Sequence, residues 1–292
     1  MKRRTARLGN SVITLEYDET DPVGQRIVET VLPGHMDDLE AAVTHSLETR
    51  SESERLVLRR GEKLLYDGHS AGQAAGILLD ELTRALITDC RDGMVFHAAA
   101  LVHGQFAVIL PGPSGTGKTT LAAWLTTRGL TYLNDEVVLV DPAGDKVQWF
   151  ARPLAVKSDG MSLLRRWIDQ DDAIEQSLTS SVSTLINPAL LGSTKSVSSY
   201  PLSAVVFPSR QKGAPSVRPL SSAETALGLI GCLVNASNLP NGGFPDVARL
   251  AARVRGCRLL YEDLEDLPDG LLTAWLASAS RRAASVRASP CS

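Results

Sequence analysis

Apolar and polar positions alternate near the start of the chain. Ser11–Tyr17 (SVITLEY) reads as a half-buried strand. Leu39–Leu47 has the spacing of a helix. Arg55–Arg59 and Lys63–Tyr66 bracket Gly61 and predict a hairpin. Ser70 is placed to cap a helix over Ala71–Cys90, where Ile77, Leu78, Leu82, Leu86 and Ile87 recur at helical spacing. Residues 1–90 thus read as a small α+β accessory region.

Beyond residue 90 the pattern shifts to buried strands. Val95–Val102 (VFHAAALV) and Gln105–Leu110 (QFAVIL) are separated by His103-Gly104, a link suited to a tight antiparallel hairpin. In that register Val102 pairs with Gln105 and His97 with Leu110. The second run enters a glycine-rich stretch, and Leu121–Thr127 continues as a helix that stops at Gly129. Leu130–Leu133 is a short strand ending in Asn134-Asp135-Glu136, and Val137–Val140 follows, closing with Asp141. Further strands are predicted at Gln148–Phe150, Ala204–Phe207 and Leu259–Tyr261, and helices over 161–168, 222–236, 246–254 and 270–280. Residues 281–292 carry no pattern and read as a flexible tail.

Composition narrows the classes. In 292 residues, 43% apolar and 22% charged content supports a sizeable core and excludes wholesale disorder. Thirty basic against 33 acidic side chains give −3, so no polyanionic partner, nucleic acid or anionic membrane, is expected. No apolar run approaches the roughly 18 residues of a membrane span. The basic start, MKRRTARLGN, precedes an alternating strand rather than an apolar leader core, so no signal peptide is expected. Cys90, Cys232, Cys257 and Cys291 are scattered, with no C-x-x-C pair, which fits reduced thiols in the cytoplasm rather than a zinc site.

The chemistry lies in Gly112-Pro113-Ser114-Gly115-Thr116-Gly117-Lys118-Thr119-Thr120, which contains a full G-x-x-x-x-G-K-T motif. Glycines let successive backbone N–H groups turn inward around an anion. The helix that follows adds the positive end of its dipole. Lys118 reaches the β- and γ-phosphates of a nucleotide, and the Thr119 hydroxyl is a Mg²⁺ ligand.

Asp135 follows the loop after one short helix and one short strand, at the sheet edge where ligands of open α/β sheets collect. Asp135 and Glu136 are adjacent, and on an extended backbone they point apart. One carboxylate is then available for Mg²⁺ and the other for a substrate hydroxyl. Asp141 also ends an apolar strand, but Pro142 and Gly144 suggest a hairpin leading away. His97, next to the loop in the hairpin register, is a titratable group able to orient a carboxylate base.

His97, GPSGTGKTT at 112–120, Arg128-Gly129 and Asn134-Asp135-Glu136 together resemble the HPr kinase/phosphorylase family. Arg152-Pro-Leu-Ala-Val-Lys157 and Phe207-Pro-Ser-Arg210 are similar to segments of its HPr-kinase-related serine kinase subgroup, so the resemblance spans about residues 91–265. It implies an α/β kinase core of the HPr kinase/phosphoenolpyruvate carboxykinase-like P-loop type, a mixed sheet flanked by helices, over 91–280. It implies ATP and Mg²⁺ as cofactors, Asp135 as the base on a substrate serine, His97 tuning it, and Glu136 with Thr119 on the metal. Glu136 stands where the family usually has Asp, and the Arg-Gly-rich signature beyond the acids is absent. Arg152, Lys157 and Arg210 are candidates for phosphate or substrate. The implied acceptor is a small protein or peptide, and the family's hexamers raise a homo-oligomer as an option. A nucleotide hydrolase, a regulatory nucleotide-binding module and a small-metabolite kinase share the loop and are the rival classes.

Overall fold

The computed structural model describes residues 1–33, 42–50, 55–144, 146–150, 152–167, 177–191 and 199–288. They form mixed α/β structure in two compact units, one of 1–90 with the described part of 150–195, the other of 91–149 with 199–288. The expected continuous domain 91–280 is therefore interrupted, since the described part of its residues 150–195 clusters with the N-terminal ninety.

In the first unit, β1 (Lys2–Leu8), β2 (Ser11–Tyr17), β3 (His45–Arg50), β4 (Arg55–Arg60) and β5 (Lys63–Gly68) form a sheet in chain order. All neighbours are antiparallel except β2 and β3, which run parallel. A parallel pair needs a crossover, and the helix Pro22–Val31 lies in it, capped by Asp21. His45–Leu47 is thus strand where the helical spacing of 39–47 predicts helix. His45 and Leu47 are buried on alternate positions, the period of a sheet, while 39–41 lie outside the described residues.

The helix Ala71–Asp89 starts at the expected cap, with the Ser70 hydroxyl accepting from the Gln73 N–H. Leu78, Leu82 and Leu86 are buried as expected, but Ile77 is exposed, and Ala75 and Leu79 complete the packed face. β12 (Leu154–Lys157), β13 (Leu178–Thr179) and β14 (Ser183–Ile186) form a small sheet in the same unit. A Cβ at Gly72 would sit 1.8 Å from the Thr179 carbonyl, so the helix approaches this sheet at a point only glycine tolerates. That contact shows why 150–195 joins this unit. The helix predicted at 161–168 runs from Ser158 to Leu164.

The second unit is built on one sheet in the order β6 (Met94–Phe96), β10 (Val138–Val140), β11 (Lys146–Gln148), β15 (Ser199–Arg210), β8 (Phe106–Pro111), β7 (Ala98–His103), β9 (Thr131–Asn134). β17 (Arg255–Tyr261) pairs with β15, and β16 (Ser216–Leu220) with β17. β15 runs parallel to both β8 and β17, so the three C-terminal ends meet at one edge. The core is an apolar cluster that includes Phe96, Ile109, Leu133, Val138, Val205 and Leu250.

Three local expectations change. The run Val95–Val102 is broken at His97, because Phe96 pairs with β10 while Ala98 begins the ladder with β8. The hairpin turns at Gly104-Gln105 instead of His103-Gly104, since Gly104, at φ +64°, takes the first central position that favours glycine. The last helix runs from Leu271 to Ala288, so residues 281–288 are helical where a tail is expected. Ala and Arg, strong helix formers, carry it on. Residues 289–292 lie outside the described residues. Among the described residues no helix is long and apolar enough to cross a membrane.

Candidate active site

The shifted hairpin brings His97 opposite the first loop glycine. Ala98 pairs with Pro111, and the Gly112 N–H donates to the His97 carbonyl at 3.4 Å. The His97 N–H in turn donates to the Cys232 carbonyl at 2.7 Å. His97 is thus held on both sides at the point where the chain changes ladder partners. Sequence alone places it opposite Leu110, two residues short of the loop.

The loop wraps around one carbonyl. Pro113 O accepts from the Thr116 hydroxyl at 2.9 Å and from Lys118 Nζ at 3.0 Å. A Cβ on Gly112 would press on Thr116 Oγ1 at 2.9 Å. Gly115 and Gly117 take φ of +86° and +82°, the left-handed region that costs glycine little. Gly117 caps the helix Lys118–Thr126 without a side-chain bond. Lys118 is only 4% exposed. An ammonium so removed from water, at a helix N-terminus, makes a strongly positive cradle for an anion.

The acid pair closes on the loop from β9. Thr119 Oγ1 donates to Asp135 Oδ2 at 2.8 Å, and Asp135 is 1% exposed. Glu136 turns the other way. Its φ is +66°, and the Val137 N–H reaches back to the Asp135 carbonyl at 2.8 Å. An i→i+2 bond around a positive φ is the rare, strained form of the three-residue turn. The Glu136 side chain is 37% exposed, with Oε2 lying 3.1 Å from His97 Nε2. The two carboxylates diverge, as expected, but through a tight turn and not along an extended strand. Asn134, fully buried, ties this end of β9 to the Gln148 carbonyl at 2.9 Å.

Thr119 Oγ1 and the Asp135 carboxylate are adjacent hard oxygens, a donor set that suits Mg²⁺, which takes few protein ligands and shares the rest with phosphates and water. Asp141 closes the expected hairpin, accepting from the Lys146 N–H at 3.2 Å.

Arg152, buried, and Lys157, exposed, belong to the first unit, just before and at the end of β12. Arg210 ends β15 at the same sheet edge as the loop, but its guanidinium is engaged locally, with the Glu262 carbonyl at 2.8 Å and the Asp263 carboxylate at 2.9 Å. Arg128 packs over the Trp124 ring at 3.8 Å and pairs with Asp269.

Two residues escape sequence reasoning. Asn235, buried, bonds the Val95 N–H through Oδ1 at 2.9 Å and the Gly93 carbonyl through Nδ2 at 3.0 Å. With the Val234 N–H on the Val95 carbonyl, it straps β6 and hence His97 in place. Tyr261, at the end of β17, brings its hydroxyl to within 3.3 Å of where a Gly117 Cβ would lie. The only signal for Tyr261 is its place at the C-terminal end of an apolar strand, and Asn235 carries none.

No family model matches the chain, and no curated protein does. Among solved structures it is similar to the Hpr(Ser) kinase/phosphatase from Coxiella burnetii, at 14% identity and a TM-score of 0.29, covering 64% of this chain and 88% of that one. At that score the likeness defines no shared fold.

Proposed function

We propose that this protein is an ATP- and Mg²⁺-dependent kinase that transfers the γ-phosphate to a hydroxyl, a serine of a small protein or peptide. The reading rests on the junction between loop and acids: Thr119 is bonded to Asp135 at 2.8 Å while the next residue contacts His97 at 3.1 Å. On this reading Asp135 serves the phosphate and metal side, and Glu136 faces the acceptor.

This favours a division of labour opposite to the one the resemblance implies. Asp135, buried against Thr119, suits the metal side. Glu136, more accessible and 3.1 Å from His97, suits the base. Lys118 and the loop amides bind the triphosphate. As the substrate oxygen attacks the γ-phosphorus, Glu136 accepts its proton, and the bond to the bridging oxygen breaks to leave ADP. His97 holds the carboxylate in position. Bound Mg²⁺ supplies charge neutralisation on the phosphates. Catalysis is otherwise positioning and electrostatics, since a loose transition state needs little covalent help.

The experiment is transfer from γ-labelled ATP to serine-containing peptides and small proteins, comparing wild type with Glu136→Gln and Asp135→Asn. Label on the acceptor, lost in Glu136→Gln with ATP binding retained, is the expected result. Release of inorganic phosphate with no labelled acceptor across the panel points to the hydrolase class. Full transfer by Glu136→Gln removes Glu136 as base.

A further inference from the structure

Tyr261 is 3% exposed, yet among the described residues its hydroxyl has no hydrogen-bond partner. The ring is packed away while the hydroxyl oxygen itself keeps some access to solvent, so it is open to a ligand. β17 runs parallel to β15, which runs parallel to β8, so Tyr261 emerges at the same sheet edge as the phosphate loop. Its oxygen stands 3.3 Å from the position a Cβ would take on Gly117. Gly117 leaves that space open and lies directly before Lys118, at the start of the loop helix.

We infer that the Tyr261 hydroxyl is a phosphate donor of the loop, supplying a hydrogen bond to a phosphate oxygen of the bound nucleoside triphosphate. The inference rests on the reading of Gly112–Thr119 as a triphosphate cradle. The surroundings keep the group a donor, because burial raises the phenol above its ordinary value and the Arg210 charge offsets this only in part. The ligand supplies the acceptor that the protein does not, while the loop amides and Lys118 supply the charge. Gly117 then has two functions. It takes the left-handed backbone of the loop, and it admits the phenol over the helix N-terminus.

The test uses the full chain and Tyr261→Phe, measuring binding of ATP with Mg²⁺ and of adenosine by calorimetry, with the thermal midpoint of each unliganded protein. Because the hydroxyl has no internal partner, the midpoint of Tyr261→Phe is expected to equal or exceed that of wild type. ATP affinity is expected to fall about tenfold or more, as for a hydrogen bond to a charged group, with adenosine binding unchanged. ATP binding within twofold of wild type overturns the role of Tyr261 and leaves the loop reading standing. A lower unliganded midpoint overturns it as well, by showing an internal role for the hydroxyl. Absence of ATP binding in wild type itself removes the loop reading, and the inference with it.

Discussion

Thr119 donates its hydroxyl hydrogen to Asp135 across 2.8 Å, joining the first turn of the loop helix to the end of β9. The bond is partly buried, with Asp135 at 1% exposure. Thr119→Val keeps the shape and removes the donor. The expected loss of stability is about 1.5–3 kcal/mol, the range for a hydrogen bond to a charged group. Urea unfolding measures it, and a wild-type midpoint with unchanged slope would contradict the bond. In calorimetry the same variant should lose most of the Mg²⁺ dependence of ATP binding.

Glu136 occupies a backbone conformation that suits glycine, at φ +66°. Strain of this kind costs about 1–3 kcal/mol and is kept where it orients a functional group. Glu136→Gly should therefore stabilise the protein by about 1 kcal/mol while abolishing transfer, a stability–activity trade-off. Chemical denaturation paired with a transfer assay reads both effects. A destabilised Glu136→Gly would show that the side chain's contact with His97 outweighs the strain.

Asn235 serves the Val95 N–H and the Gly93 carbonyl from a buried position. Asn235→Ala leaves both groups without those bonds, and a destabilisation of about 2 kcal/mol or more is expected. Because β6 leads directly into His97, turnover should fall more than ATP affinity does. Equal losses in kcat and in ATP binding would show that the strap supports the whole loop and not His97 in particular.

His45, in the first unit, gives a pH prediction independent of the site. Burial first, then the nearby Arg60 charge, lowers its pKa to about 4, with Glu81 opposing. Thr44 Oγ1 lies 2.9 Å from its Nδ1, and among the described residues Nε2 has no hydrogen-bond partner. The folded state thus holds the imidazole neutral, while the unfolded chain protonates near the ordinary value of 6.5. Its contribution is full above that value and is lost as pH falls from 6.5 towards 4, where the unfolded state binds the extra proton. Urea midpoints measured across that window should decline in wild type and decline less in His45→Gln. Parallel declines would assign the acid sensitivity to other groups.

The elements read from the sequence show where local signals suffice. The Ser70 cap, the loop glycines and the helix from Lys118 follow from φ/ψ sterics and periodicity within a few residues. The helix predicted over 39–47 fails because His45 and Leu47 answer to a parallel neighbour, β2, whose pairing is non-local. The hairpin register was legible only to within two residues, and that shift is what carries His97 from Leu110 to Gly112.

By itself the sequence determined a glycine-rich loop between a strand and a helix, and two adjacent acids one short strand later. These depend on residue identity and close spacing. Tertiary structure alone decided that Asp135 meets Thr119, that a tight turn sends Glu136 to His97, that Asn235 straps β6, and that Tyr261 stands over Gly117. It also placed the described part of 150–195 with the N-terminal unit. Each of these depends on strand order and register across long stretches of chain. There a side chain's neighbours are set by which ladders pair, and local periodicity carries no record of that choice.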